Sequence, residues 1–293
     1  MKSGFAVINK PPVMTSSDVV VRVRRCFPKG TRVGHMGTLD PGAGGVLPVG
    51  VGRAARLFDY VIDKDKEYIA EMQLGNVTDT QDRFGTILSR AEVHVDRAAL
   101  TDALSRFCGD ILQIPPAYSA VKKDGKRLYQ LAREGADARV PARAAHIAEI
   151  ELLSYESPSA LLRVVCGKGT YIRTLLHDIG AMLGCGAHMT FLVRTRSGAF
   201  RIEDAVSVDT FAKAGSDMSL LPMDLPLSHL PALDFDASDT MRVRSGGAFP
   251  VSLMSGLQED DVCRAYLCGA FAGILHRKGD ALRWKAMLLE DTP

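Results

Sequence analysis

Tyr68, Ala70, Met72 and Leu74 alternate with Ile69, Glu71 and Gln73, a period of two that predicts a half-buried strand. Ala6-Val7-Ile8 is strand-like without alternation. Thr15-Ser16-Ser17-Asp18 offers helix-capping side chains ahead of residues 19–25, although the valines there resist a helix. Asp96 caps a predicted helix with Leu100, Leu104 and Phe107 on one face and Gly109 as its stop. Residues 147–155 and 160–166 predict two strands joined by Glu156-Ser157-Pro158-Ser159, and a helix over 171–183 stops at Gly184. Pro222, Pro226 and Pro231 make 216–231 a connector. Beyond it, strand-like runs at 242–244, 262–267, 270–275 and 286–289 predict a small β-barrel or half-barrel. Strands and helices mix without β-α-β alternation, so an α+β fold is expected, divided into 1–232 and 233–293.

Composition narrows the class. Of 293 residues, 46% are hydrophobic and 24% charged, ample for a core. No run approaches the about 18 apolar residues of a membrane helix, and Met1-Lys2-Ser3-Gly4-Phe5 lacks an apolar signal region; a cytoplasmic protein is expected. Six scattered cysteines without a C-x-x-C pair predict reduced, mostly buried thiols and no metal site. No exposed heptad or long apolar stripe is evident, so a monomer is expected.

A net charge of +2 does not announce a nucleic-acid partner, but its distribution does more. Between Ala117 and Arg143, Lys122, Lys123, Lys126, Arg127, Arg133, Arg139 and Arg143 face only Asp124, Glu134 and Asp137, a larger positive excess than that of the whole chain. Charge alone fits a phosphate-tracking surface or a solvated face equally well.

The candidate chemistry lies in Gly34-His35-Met36-Gly37-Thr38-Leu39-Asp40-Pro41-Gly42-Ala43-Gly44-Gly45-Val46-Leu47-Pro48. One carboxylate, Asp40, stands in a glycine-rich segment of low bulk, with Pro41 fixing the chain behind it. A lone Asp-Pro-Gly would be a surface turn, but the full pattern G-H-x-G-x-L-D-P-x-A-x-G-x-L-P is far more specific. It resembles the signature of the TruB family of bacterial tRNA pseudouridine-55 synthases. Further matches follow in order: Asn9-Lys10-Pro11, Thr15-Ser16-Ser17, Lys66-Glu67-Tyr68, Leu74-Gly75, Thr78-Asp79-Thr80 with Asp82, Tyr118-Ser119-Ala120, Gly169-Thr170-Tyr171-Ile172-Arg173-Thr174 and Gly184-Cys185-Gly186-Ala187-His188. The resemblance covers roughly residues 4–200 well and the C-terminal part weakly.

That resemblance implies a core built on a mixed, mainly antiparallel sheet flanked by helices, with a small β-rich, PUA-like RNA-binding domain at 233–293. It implies isomerisation of uridine to pseudouridine in the T loop of tRNA, at position 55, after the base is flipped out. The reaction breaks N1–C1′, turns the base and joins C5 to C1′, and needs neither redox chemistry, metal nor cofactor. Asp40 takes the role of catalytic carboxylate, with attack at C1′, attack at C6 and removal of a sugar proton all open. Arg173 keeps it ionised and oriented, for which a two-pronged guanidinium contact suits. Tyr68, by periodicity alone a core aromatic, is implied to stack on the target uracil. Tyr171 and Leu192 shape the pocket, and His35 contacts the RNA and fills the space of the everted base. Lys10 and Pro11 brace the catalytic loop. The basic insert at about 117–143, with Lys122, Lys123, Lys126 and Arg127, is expected to close over the T arm about Gly125 and Gly135. No obligatory protein partner is expected.

Departures from the family pattern are few: Val13 where glycine is usual, Ala55-Arg56 for Thr-Lys, and Val193 where a second arginine is frequent. The alternatives are a non-catalytic tRNA-binding or remodelling protein on the same scaffold, and an enzyme acting on other RNAs like the guide-directed relatives. The latter usually carry longer basic tails than this chain shows.

Overall fold

The computed structural model describes residues 2–62 and 64–289. Its main sheet runs in the order Val206–Ser207, Gly4–Lys10, Gly44–Val51, Ala187–Ser197, Lys66–Leu74, Ser159–Cys166, Arg143–Glu156, Gly109–Gln113, with Val33–His35 and Phe200–Arg201 paired to its side. Two of its strand pairings are parallel, Gly4–Lys10 with Val206–Ser207 and Gly44–Val51 with Ala187–Ser197. The expected α+β fold with a mixed, mainly antiparallel sheet is the one found.

The first strand lacks alternation because both its faces are buried. Ala6 and Ile8 pack into the larger core with the valines of helix Ser16–Arg25 and Phe211, while Phe5 and Val7 pack with Phe200, Leu227, Ile274 and Leu288. Lys66–Leu74 alternates as predicted, with Tyr68, Ala70, Met72 and Leu74 in the larger core. Helix Ser16–Arg25 forms despite its β-branched residues. Thr15 and Asp18 close a capping box, and burial of Val19, Val20 and Val23 outweighs their weak helix propensity.

Several expectations change. The helix capped by Asp96 ends at Ser105, and Gly109 instead opens the edge strand Gly109–Gln113. Residues 242–244 belong to the helix Thr240–Arg244; one apolar residue between two arginines carries no period, and Val243 is buried among Phe235, Phe249 and Leu282. The last strand is Ala281–Met287. Three thiols are buried (Cys166, Cys185, Cys263), whereas Cys108 and Cys268 are exposed, so burial is not general. Residues 216–231 are no free connector: Phe5 and Leu221 exchange backbone hydrogen bonds of 2.9 and 2.8 Å, and Leu227 is fully buried.

The C-terminal unit is a five-stranded sheet in the order Ala232–Phe235, Val262–Leu267, Ala270–Lys278, Ala281–Met287, Phe249–Pro250. It has its own core, with Phe235 and Phe249 stacked 4.1 Å apart. Among the described residues no helix is long and apolar enough to cross a membrane.

Candidate active site

The segment around Asp40 lies between two paired strands, Val33–His35 and Gly44–Val51. Buried polar groups clamp it from three directions. Ser16 Oγ donates to the Leu39 carbonyl at 3.1 Å and accepts from the Leu39 N–H at 2.9 Å. The Lys10 ammonium, fully buried, donates to the carbonyls of Pro11, Met14 and Pro41 at 3.0, 2.6 and 3.3 Å. Arg194, also buried, donates through Nε to Val46 at 2.8 Å, Nη2 to Gly37 at 3.1 Å and Nη1 to Thr38 at 3.4 Å. Gly45 pairs with Arg194 in the sheet at φ 100°, and any Cβ there would collide with the Arg194 backbone. Hydrogen bonds from two buried cations and one hydroxyl therefore fix the loop backbone, as preorganised catalysis requires.

Arg173 enters from the first turn of helix Ile172–Met182. Its Nε donates to Asp40 Oδ2 at 2.8 Å; Nη1 donates to the Thr80 carbonyl at 3.1 Å and Nη2 to that of Tyr118 at 3.0 Å. The expected two-pronged grip on the carboxylate is thus one prong, with the other two nitrogens spent on backbone. The Arg173 side chain is 4% exposed and that of Asp40 40%, so the carboxylate sits at an opening and is not sealed from water. The helix entrance is held in turn: Gln113 exchanges hydrogen bonds with the backbone N–H and carbonyl of Tyr171 at 3.0 and 3.2 Å, and Thr174 donates to Gln81 at 2.9 Å.

Gly45, Arg194, Tyr68 and Val164 form one rung across four adjacent strands. The Tyr68 phenol therefore lies beside the Arg194 guanidinium. Burial pushes its ionisation up, with Arg194 pulling the other way, so the hydroxyl is protonated near neutral pH. Leu192 is buried two residues from Arg194 and opposite Ala70, in the core cluster that holds Tyr68 and Leu39. His35, opposite Val49, is partly buried, and its Nδ1 finds no partner. Burial, then the nearby Arg194 charge, lower its pKa below the usual histidine value, so it is neutral. Lys10 is lowered to about 8, chiefly by burial, with Asp40 opposing.

The structure thus brings together Asp40, Arg173, Tyr68, Leu192, Lys10 and the Pro11 carbonyl, with Tyr171 beside Arg173 and His35 ahead of the loop. The insert is a two-strand hairpin, Lys122–Lys123 with Lys126–Arg127, followed by helix Leu128–Arg133. It starts at the site, since the Tyr118 carbonyl binds Arg173. Much of its charge is internally neutralised: Lys123 pairs with Asp137 at 3.3 Å, Lys126 with Glu134 at 3.2 Å and Arg139 with Asp137 at 3.0 Å. Among the described residues no group of three or more histidine, cysteine or acidic side chains is placed to hold a metal.

Sequence reasoning missed Arg194, Gln113 and Gln81. No strand is expected from the sequence over 187–197, yet Arg194 lies in strand Ala187–Ser197 and shares its buried face with Leu192.

Residues 24–172 match the N-terminal domain of TruB family pseudouridylate synthases, and residues 173–228 match the tRNA pseudouridylate synthase B C-terminal domain. A tRNA pseudouridine synthase B from Syntrophomonas wolfei is 46% identical over 249 residues, 83% of each chain. Its counterpart from Burkholderia lata is 38% identical over 284 residues, covering 95% of this chain and 88% of that one. In three dimensions the chain resembles a chain of the Cbf5-Nop10-Gar1 complex, with a TM-score of 0.74, 28% identity, and 97% and 84% of the two chains covered. With the matched segments spanning most of its length, this chain belongs to the TruB family of pseudouridylate synthases.

Proposed function

We propose that this protein isomerises uridine to pseudouridine in the T loop of tRNA, at position 55, with Asp40 as the catalytic carboxylate. The observation that carries the reading is the Asp40–Arg173 hydrogen bond at 2.8 Å, at an opening and near enough to Tyr68 for the Asp40 charge to act on its phenol. Oδ2 is committed to Arg173, while Oδ1 has no donor among the described residues and is left for the substrate. A phosphate-rich RNA would cover the half-exposed acid and exclude water as it binds, completing the pocket that the free protein leaves open.

In this scheme the target uridine swings out of its loop, which costs less than extrusion from a helix. Tyr68 and Leu192 flank the base, and the protonated Tyr68 hydroxyl stands close to where the C5 proton leaves. Neutral His35 faces the space vacated in the RNA without adding a charge that would need desolvation. Tyr171 shapes the wall beside Arg173, and Lys10 and Pro11 brace the loop. Residues 1–232 are taken as the catalytic part, and 233–293, with its own core, as a small PUA-like RNA-binding unit. The protein is proposed to act on the T arm as a cytoplasmic monomer without an obligatory protein partner. An intact carboxylate–guanidinium pair counts against the non-catalytic alternative, because a tRNA-remodelling scaffold has no need of it.

The test uses unmodified tRNA transcript carrying tritium at C5 of uracil. Wild-type protein should release tritium, and Asp40→Asn should release none while still binding the transcript. Equal release by both proteins removes Asp40 from its role, and no release by either refutes the isomerase.

A further inference from the structure

The turn after strand Asn76–Thr78 carries Phe84, 61% exposed, an unusual position for a phenylalanine. Its surroundings are otherwise fully organised. Asp82 Oδ1 accepts from the Phe84 N–H at 3.0 Å and from Thr80 Oγ1 at 2.6 Å, while Asp79 Oδ1 accepts from the Thr86 N–H at 2.8 Å. The Thr80 carbonyl of the same turn holds Arg173. On its other side the Phe84 ring lies against Gly42, where any Cβ would strike it. Gly42 is two residues past Asp40, at most about 7 Å of chain. The ring is therefore tied to both members of the catalytic pair, through Thr80 to Arg173 and through Gly42 to the Asp40 loop.

The Arg83 guanidinium lies 4.9 Å from the ring centroid and has no carboxylate partner among the described residues. An aromatic face backed by such a guanidinium is what single-stranded nucleic acid binds: the ring stacks on a base, and the cation reaches its phosphate. The ring sits amid hydrogen-bonded polar residues, with exposed Ile87 and Leu88 on the strand that follows.

We propose that Phe84 and Arg83 form a stacking platform for an unpaired base of the RNA that flanks the reacting uridine. The proposal rests on the isomerase reading above and adds a second base subsite to it. Stacking on an aromatic face tolerates any base, so the platform contributes affinity and register, not sequence choice.

Phe84→Leu keeps an apolar side chain against Gly42 and removes the flat face. Steady-state tritium release from the tRNA transcript should show KM raised about tenfold, with kcat within about twofold of wild type. Phe84→Tyr should restore the wild-type KM, which a purely structural loss in the turn would not do. Wild-type kinetics for Phe84→Leu, or an equal defect in Phe84→Tyr, overturns the platform while leaving the isomerase intact. Filter binding of an unmodified T-arm hairpin to wild type and Phe84→Leu separates the two ideas. Absence of tritium release by wild type defeats the isomerase, and the hairpin comparison still decides the platform: about tenfold weaker binding by the variant upholds it, equal binding ends it.

Discussion

Arg173 Nε sits 2.8 Å from Asp40 Oδ2, joining residues 133 apart in the chain. Burial is unequal across that hydrogen bond: the arginine is enclosed by the Thr80 and Tyr118 carbonyls, the aspartate open. The guanidinium is thus a fixed socket and the carboxylate the proposed working end. Arg173→Lys keeps the charge but loses the planar fork that serves three acceptors in one plane. Misplacement by about 1 Å costs roughly 10²-fold, so kcat should fall by that much or more while tRNA binding changes little. Single-turnover rates at saturating enzyme check this; a lysine variant with the wild-type rate would refute the socket.

Val13 occupies the left-handed region at φ 68°, a conformation that costs a residue with a Cβ about 1–2 kcal/mol. Its N–H donates to the Pro41 carbonyl at 2.7 Å, so the strained turn abuts the Asp40 loop. The residue is 88% exposed and contributes little burial. Val13→Gly removes the strain and adds about 0.5–1 kcal/mol of unfolded-state entropy, so the sign favours the glycine. Stabilisation of roughly 0.5–1 kcal/mol is expected, read as a higher denaturant midpoint at unchanged slope. A lower midpoint would show that the turn is not strained.

Much of this was legible in the chain. Period-two burial at 68–74 follows from one face of a strand meeting the core, and the glycine pattern around Asp40 reflects backbone approaches that exclude side chains. Helix Ile172–Met182 is announced by its stop at Gly184, whereas its entrance has no side-chain cap and Arg173 stands out only through the family resemblance. What was not legible is pairing. Arg194 gives no sign in sequence that three carbonyls await it inside the sheet. The charge excess at 117–143 does not reveal that Asp137 takes up both Lys123 and Arg139. Leu221 joins the first strand through a single bridge, too short to leave a periodic trace.

Lys10 gives a pH signature. Its folded-state pKa of about 8 lies below the ordinary 10.5 because burial disfavours the charged form. Between those values the unfolded chain binds the proton that the folded protein has released, so raising the pH favours folding; below about 8 the contribution is flat. The unfolding free energy of wild type minus that of Lys10→Met should therefore climb from about pH 8 toward 10.5. Taking the difference cancels titrations common to both proteins. Denaturation series at about pH 7, 8, 9 and 10 measure it, and a pH-independent difference would mean that Lys10 is not desolvated.

The insert offers RNA fewer free cations than its composition suggests. Lys123 and Lys126 are held by Asp137 and Glu134, whereas Lys122 and Arg127 have no carboxylate partner among the described residues. Reversing Lys123 or Lys126 breaks an internal ion pair and confuses folding of the insert with RNA binding. Reversing Lys122 or Arg127 breaks no ion pair of the insert and so tests RNA binding more directly. Removing one cation that neutralises a phosphate should lower the slope of log Kd against log salt by about 1, so Lys122→Glu with Arg127→Glu should lower it by about 2 and weaken tRNA binding at low salt. Titrations of unmodified tRNA between about 50 and 200 mM salt supply the slope over a range where phosphate neutralisation is sensitive. An unaltered slope in the double variant would place the phosphates elsewhere, and Arg83 would be the next cation to test.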